Sequence, residues 1–162
     1  MKRKINKEEL AQFLTACGPE TKVYIGCDSE RFKVKGVWHA DYILAVVVHI
    51  DGSKGCRVFG EVQREVDYDQ NKNRPFNRMM TEAMKVAQLY LDLKEVLYDF
   101  EVFIHLDINP NESFGSSCAA QAATGYIRGM CNVIPAVKPN AWAASYAADR
   151  IKELGNLTAV NS

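Results

Sequence analysis

The chain has 162 residues, of which 48% are hydrophobic and 25% are charged, and its 20 basic residues balance 20 acidic ones. These proportions are typical of a globular protein, and the length is most simply that of one domain, residues 1–162, with a substantial core. The neutral charge excludes a globally basic nucleic-acid binder, and the longest apolar run, residues 42–48, is too short to span a membrane.

The amino-terminal residues and the cysteines favour a cytoplasmic protein. The first ten residues, MKRKINKEEL, are not followed by an apolar segment, so we expect no signal peptide. The five cysteines are scattered without a CxxC pair, which argues against a disulfide framework and a structural zinc site. The three histidines are isolated too, so any metal would be bound mainly by oxygen, which favours Mg²⁺ or Mn²⁺.

The chain opens with a predicted helix that forms an amino-terminal extension, residues 1–18. Asn6 and Glu9 have the spacing of a capping box, apolar residues follow with helical periodicity, and Gly18-Pro19 ends the helix. Apolar, β-rich runs then predict the strands 22–28, 38–50, 56–66, 101–108 and 133–137. Helical patterns predict helices at 75–97, 116–131 and 141–154.

The order of these elements predicts the fold class. Short polar turns at 29–36 and 51–53 join the first three strands, so these strands should be antiparallel. Helices separate the first, fourth and fifth strands, so these should be parallel to one another. We therefore predict an α/β fold with a mixed five-stranded sheet flanked by helices.

Four carboxylates lie on elements that otherwise resemble core: Asp28, Glu82, Asp107 and Asp149. Asp28 and Asp107 each end an apolar strand, and neighbouring strands lie ~4.8 Å apart, so both carboxylates would reach one metal ion. Ligands in open α/β sheets bind at this edge. Buried carboxylates are costly unless they are paired, hydrogen-bonded or bound to a metal, so we interpret the four as one shared metal site.

The two helical acids also have simpler explanations. Glu82 is the only charge on an apolar helical stripe, although it could be a boundary residue that extends toward solvent; the stripe contains Met79, Val86, Leu89 and Leu93. Asp149 shares a helix face with Trp142 and Tyr146, but a salt bridge to Arg150 or Lys152 would equally explain it. The spacing leaves both explanations of Asp149 open.

Basic and polar residues near these acids are candidates for substrate contacts. The segment 70–78 contains Lys72, Arg74 and Arg78 without an acid, a pattern of either a phosphate-binding loop or an ordinary solvated loop. His105 shares a strand face with Asp107, but such histidines are often satisfied core residues. Ser29 has no base at a motif spacing, which argues against a serine hydrolase, and no phosphate-binding glycine motif is present.

Several segments resemble the RNase H-like superfamily and, within it, the YkuK-type family. They are IGCDSE (25–30), RMMTEAMKVA (78–87), IHLDINPN (104–111), GYIRGM (125–130) and KPNAWAASYAADR (138–150). The resemblance implies that Asp28, Glu82, Asp107 and Asp149 are the first-strand, helix, fourth-strand and last-helix acids of the superfamily. In active relatives such acids hold two divalent ions that cut phosphodiester bonds. Ser29, Asn109-Pro110 and Lys138-Pro139 depart from the common pattern and are similar to the YkuK type.

We therefore predict a nuclease that uses two Mg²⁺ or Mn²⁺ ions and acts on RNA, DNA or a hybrid. The four acids would be catalytic and metal-binding. The predicted substrate contacts are Ser29, His105, Asn109, Lys138, Lys72, Arg74 and Arg78. Two alternatives remain: a catalytically inactive nucleic-acid-binding or protein-interaction module, and a metal-dependent phosphatase or nucleotide hydrolase.

Overall fold

A computed structural model describes residues 4–69, 75–143, 145, 146, 149 and 150. Its strands are β1 (Lys22–Val34), β2 (Val37–His49), β3 (Cys56–Val66) and β4 (Glu101–Leu106). Its α-helices are α1 (Lys7–Thr15), α2 (Phe76–Leu93) and α3 (Ala120–Cys131), with short 3₁₀ helices at Ile50–Gly52 and Gly115–Ala119. Residues 143, 145, 146, 149 and 150 are also helical.

The strands form one mixed sheet in the order β3-β2-β1-β4. β2 pairs antiparallel with both β1 and β3, whereas β4 pairs parallel with β1. The predicted α/β fold class, with antiparallel first strands and a parallel fourth strand, is therefore confirmed.

The predicted fifth strand, residues 133–137, was wrong in extent. Within the described residues it contributes a single parallel bridge, in which Ala136 O accepts from Leu106 N and Ala136 N donates to Ile104 O, both at 2.9 Å. Pro135 has no N–H to donate to a ladder, so the pairing stops beside it. The sheet consequently has four strands, and the segment after Ala136 still follows the carboxyl end of β4.

The first hairpin is longer than predicted. β1 continues through the residues that we expected to form a turn, and the turn itself is only Lys35-Gly36, with φ of 50° and 81°. Two consecutive positive φ angles suit a two-residue connection between antiparallel strands. Polar side chains misled the prediction, because a hairpin that extends beyond its neighbouring strands does not need an apolar face.

Other boundaries differ by a few residues. The third strand is confirmed at 56–66, whereas α2 ends at Leu93 and β4 ends at Leu106, earlier than expected. Asp107 therefore lies one residue beyond its strand. At the amino terminus, Asn6 caps α1 by accepting a hydrogen bond from Glu9 N at 3.0 Å, as the capping-box spacing indicates.

The two faces of the sheet have different partners. One face contains the main core, in which strand residues pack with α1, α2 and α3; its fully buried members include Leu10, Val23, Ile25, Val86, Ile104 and Ile127. The other face has a smaller cluster in which Tyr24 contacts the rings of Phe103, His105 and Trp142. No helix in the described part of the chain is long and apolar enough to cross a bilayer.

Candidate metal centre

Asp28 and Asp107 lie at the same edge of the sheet because β1 and β4 are parallel neighbours. Cys27 and Leu106 are register partners, and each is followed at once by one of the two aspartates. Asp28 is still paired within the sheet, opposite Ile43 of β2, whereas Asp107 begins the loop after β4. Strand geometry alone thus directs two carboxylates to the carboxyl edge of the sheet.

Glu82 reaches this edge from α2, on the main-core side. Its side chain is buried, with 4% of the residue exposed, and Oε2 accepts a hydrogen bond from Ser29 Oγ at 3.1 Å. Oε1 is buried and accepts no hydrogen bond from any residue that the structure describes. Burial raises the pKa of Glu82 well above its usual value, and the charges of Asp28 and Asp107 raise it further. The three carboxylates therefore form one electrostatic cluster, the acid cluster.

Lys138 places a positive charge on the acid cluster. Its Nζ lies 2.7 Å from Asp107 Oδ1, and its backbone N donates to Ile108 O at 3.0 Å. The side-chain contact is an ion pair that occupies Asp107 Oδ1. That contact chiefly raises the pKa of Lys138, and the charges of Asp28 and Glu82 add to the effect.

Arg78 is the second cation at the acid cluster. It lies in the first turn of α2, one turn before Glu82, and its Nη1 donates to Ser29 O at 3.4 Å. Its charge lowers the pKa of Glu82, against the larger effects of burial and the two aspartates. The structure thus brings Ser29, Arg78 and Lys138 of the predicted substrate contacts to the acids, whereas Lys72 and Arg74 lie outside the described residues.

Two buried aspartates that the sequence analysis did not single out position Arg78. Asp69 accepts from Asn77 N at 2.9 Å and from Arg78 N at 3.0 Å, so it caps the start of α2. Asp67 forms an ion pair with Arg31 and accepts from Asp69 N at 3.0 Å. Asp69 lies several residues before Pro75, the residue that precedes α2, so the usual capping signal of an acid immediately before a helix would not have identified it.

His105 serves the core rather than the acid cluster. It is buried, and its Nδ1 accepts hydrogen bonds from the backbone N of Trp142 at 3.2 Å and of Ala143 at 3.1 Å. Burial lowers its pKa, which favours the neutral ring with an accepting Nδ1. The satisfied core histidine, one of the two explanations left open, agrees with these contacts.

Asn109 and Asp149 take no part in the contacts described above for the acid cluster. Asn109 stabilises its own loop, because its N donates to Ser116 Oγ at 2.9 Å and its Oδ1 accepts from Asn111 N at 3.0 Å. Asp149 is helical and exposed. The acidic charges that raise the pKa of Glu82 come from Asp28 and Asp107, so the structure brings three of the four predicted acids together.

The chemistry of the acid cluster fits a hard divalent cation. Its donors are carboxylate oxygens, the ligands that Mg²⁺ and Mn²⁺ prefer, and one of them, Glu82 Oε1, is buried without a hydrogen bond to any described residue. Among the described residues, no three His, Cys, Asp or Glu side chains are already placed to hold one ion together. Lys138 would compete with a metal for Asp107 Oδ1.

Comparison with known proteins agrees with this geometry. The family model described as Ribonuclease H-like matches residues 7–153, a range that contains all four predicted acids and every strand. No curated protein and no solved structure matches the chain significantly. The match covers most of the 162 residues, and the mixed sheet has the fold class that the resemblance implied. The chain therefore belongs to the ribonuclease H-like family.

Proposed function

We propose that the chain is a Mg²⁺- or Mn²⁺-dependent nuclease that hydrolyses phosphodiester bonds at the acid cluster, and that it is of the YkuK type. The observation that carries this proposal is Glu82 Oε1, which is buried near Asp28 and Asp107 without a hydrogen-bond partner in the described part of the chain. An unpaired buried carboxylate costs free energy and contributes little to folding, so a bound cation best explains its place in the core. Membership of a fold family does not establish activity, so the proposal rests on the geometry and chemistry of the acid cluster.

In this proposal Asp28, Glu82 and Asp107 are metal ligands, and Asp149 completes the set from the last helical residues. When bound, a pair of divalent ions supplies the positive charge that activates the attacking water and stabilises the leaving oxygen. Ser29 orients Glu82, because its hydroxyl holds Oε2 and leaves Oε1 for the metal.

The two cations at the acid cluster bind substrate in this proposal. Arg78 and Lys138 carry charges that attract phosphate but cannot activate water. Lys138 has an exposed fraction of 44% in its side chain, so it can turn from Asp107 to a phosphate oxygen. The substrate would be RNA, DNA or a hybrid, and Lys72, Arg74 and Asn109 remain further candidates for contact with it.

An inactive binding module is the second candidate, and one observation favours it. In the described residues Lys138 neutralises Asp107, and no group of three ligating side chains is assembled. A protein that has this fold but no catalytic activity would have the same arrangement whether or not metal is present. Such a module would bind nucleic acid and leave it intact.

Cleavage of fluorescent oligonucleotides decides between these candidates. Single-stranded, double-stranded, hybrid and branched forms are incubated with the purified chain in Mg²⁺, Mn²⁺ or chelator. We expect metal-dependent cutting that is lost in Asp28→Asn combined with Asp107→Asn. Asp92→Asn, which removes an exposed acid of α2, is the matched control for charge and should cut normally.

Three outcomes would contradict the nuclease proposal. Cutting by the double variant at the wild-type rate would place the reaction elsewhere or in a contaminant. Binding without cutting in any metal would favour the inactive module. Release of phosphate from mononucleotides without cutting of strands would indicate the phosphatase or nucleotide hydrolase that the sequence left open.

A further inference from the structure

The outer end of the β1–β2 hairpin carries an exposed aromatic ring surrounded by basic residues. Trp38 has 38% of its surface exposed and lies opposite Lys33 in the strand register. The guanidinium carbon of Arg31 lies 4.2 Å from the ring centroid, and Lys33 Nζ lies 4.9 Å from it. Lys35 follows at the exposed turn. We call Arg31, Lys33, Lys35 and Trp38 the hairpin platform.

The hairpin platform is anchored at its inner side. Arg31 forms an ion pair with Asp67, and the side chains of these two residues are only 12% and 1% exposed. The backbone of Asp67 also donates a hydrogen bond to Trp38 O at 2.9 Å. These contacts fix the tryptophan and one of its cations, whereas Lys33 and Lys35 remain exposed.

The hairpin platform lies on the same face of β1 as Ser29 and Glu82, whereas Asp28 alternates to the other face. Side chains alternate along a strand, so Ser29, which holds Glu82, points to the same side as Arg31 and Lys33. Lys33 lies four positions after Ser29, which corresponds to roughly 13 Å along the strand. A pocket of about 410 Å³ lies beside this face and is lined in part by Asp67, Tyr68 and Arg78.

The charges on this face favour binding of a polyanion over binding of a basic partner. Its acids Asp67 and Glu65 are already engaged by Arg31 and Lys85, respectively. The side chains that extend beyond them are Lys33 and Lys35, and Arg78 adds a positive charge on the way to the acid cluster. An aromatic ring next to lysines is the combination that binds single-stranded nucleic acid, through base stacking and phosphate contacts.

We propose that the hairpin platform binds an unpaired segment of the nucleic-acid substrate, with one base stacked on Trp38 and phosphates on Lys33 and Lys35. This inference rests on the proposed function, because it extends the substrate path of the same site. The stacked base would lie a few nucleotides from the bond at the acid cluster, because Lys33 is roughly 13 Å from Ser29 along β1. An unpaired segment is required, since only an unpaired base exposes a face to the ring.

Oligonucleotide affinity in chelator tests this inference without any cleavage. The probe is a fluorescent single-stranded 12-mer, and anisotropy gives the dissociation constant. Trp38→Ala should weaken binding by about 5- to 150-fold, the range expected for the loss of one stacked base. Trp38→Leu should weaken it similarly, and it keeps the apolar bulk in case Trp38→Ala does not fold. Tyr98→Ala, which removes a ring that is 85% exposed elsewhere, is the control and should bind normally.

Lys33→Gln with Lys35→Gln should flatten the salt dependence of binding by a log–log slope of about 0.7 per lost contact. Lys54→Gln with Lys94→Gln removes the same charge from exposed positions outside the hairpin and should leave the slope unchanged. Fluorescence gives a direct readout, because the chain has two tryptophans and Trp142→Phe leaves only Trp38. We expect the 12-mer to quench that remaining emission.

The outcomes separate this inference from the proposed function. Binding that depends on Trp38 without cutting in any metal supports the hairpin platform and contradicts the nuclease. Cutting by wild type, together with unchanged affinity in Trp38→Ala and Trp38→Leu, supports the nuclease and overturns the hairpin platform. Failure of wild type to bind the 12-mer, or a normal salt slope in the lysine variant, also overturns it.

Discussion

Glu82 is buried, and one of its two carboxylate oxygens has no hydrogen-bond partner among the described residues. Glu82 is held at Oε2 by Ser29, and its pKa is raised by burial and by Asp28 and Asp107. In the absence of metal this side chain should therefore reduce the stability of the fold. Functional sites commonly retain such costs because removing them also removes the activity.

Glu82→Gln should make the metal-free protein as stable as wild type or more stable, by roughly 0.5–2 kcal/mol. The amide has a similar shape and has no charge to desolvate beside the two aspartates. Urea unfolding in chelator at neutral pH measures the difference. A loss of several kcal/mol would instead identify Glu82 as a structural partner whose charge the fold requires.

Manganese should stabilise wild type by mass action if the acid cluster binds it. At a hundredfold excess over the dissociation constant the gain is about 2.7 kcal/mol, or roughly 5–10 °C in melting temperature for a chain of this size. Asp28→Asn with Asp107→Asn should abolish the shift, and Asp92→Asn should preserve it. A full shift in the double variant would place the metal elsewhere.

Lys138→Gln should strengthen manganese binding by about two- to fivefold. Lys138 neutralises Asp107 and repels an incoming cation, and a partly exposed ion pair of this kind is worth less than ~1 kcal/mol. Titration followed by the melting temperature gives the affinity, with Lys94→Gln as the control. Unchanged or weaker manganese binding would show that Lys138 does not compete with the metal.

At the scale of elements, α2 depends on a cap that comes from the loop before it. Asp69 accepts from the backbone of Asn77 and Arg78, and no side chain within α2 does so. The same contacts set the position of Arg78 and, one turn later, of Glu82. The start of this helix is therefore part of the site's framework.

Asp69→Ala should cost about 0.5–2 kcal/mol of stability, as the loss of a helix cap does. Amide hydrogen exchange at Asn77 and Arg78 should become faster, because both amides lose their acceptor. Asp99→Ala, an exposed acid outside the helices, is the control. Unchanged stability and unchanged exchange at these two amides would contradict a capping role.

The element boundaries show which local signals are reliable. The spacing of Asn6 and Glu9 predicted the cap of α1, and the hairpin turn with the β-rich run after it predicted the bounds of β3. The polar residues of β1 predict a turn, but the structure continues the strand through them, and Pro135 limits a strand that apolar composition alone predicts. Composition indicates burial, whereas pairing depends on whether a partner strand is present.

At the scale of the whole molecule, the sheet links the acid cluster to the last helical residues. His105, on β4, accepts from the backbone of Trp142 and Ala143, and Tyr24 packs against both His105 and Trp142. On the opposite face α1 adds Leu10 and Leu14 to the main core, so the predicted extension packs with the domain.

His105 should make stability depend on pH. Its folded-state pKa lies below the usual 6.5, so the unfolded chain binds a proton first and stability is lost as the pH falls below about 6.5. His105→Asn retains an acceptor that does not titrate, so unfolding measured across this range should show a smaller loss. His105→Ala leaves two buried N–H groups without an acceptor and should cost about 1–3 kcal/mol for each. Identical pH profiles in wild type and His105→Asn would contradict this role.

Local periodicity was sufficient to place Asp107 directly after a strand and Glu82 on an apolar stripe, because alternation and helical spacing operate over a few residues. Asp28 was expected to end its strand, but β1 continues past it to Val34. Which groups those acids meet depended on the three-dimensional packing. Ser29 and Glu82 are 53 residues apart in the chain, and Lys138 reaches Asp107 only because Ala136 bridges to β4. The role of His105 was likewise decided by the backbone of Trp142 and Ala143, which lie 37 and 38 positions later in the chain. Contacts of this range arise from the packing of whole elements, and no short pattern in the amino-acid sequence specifies them.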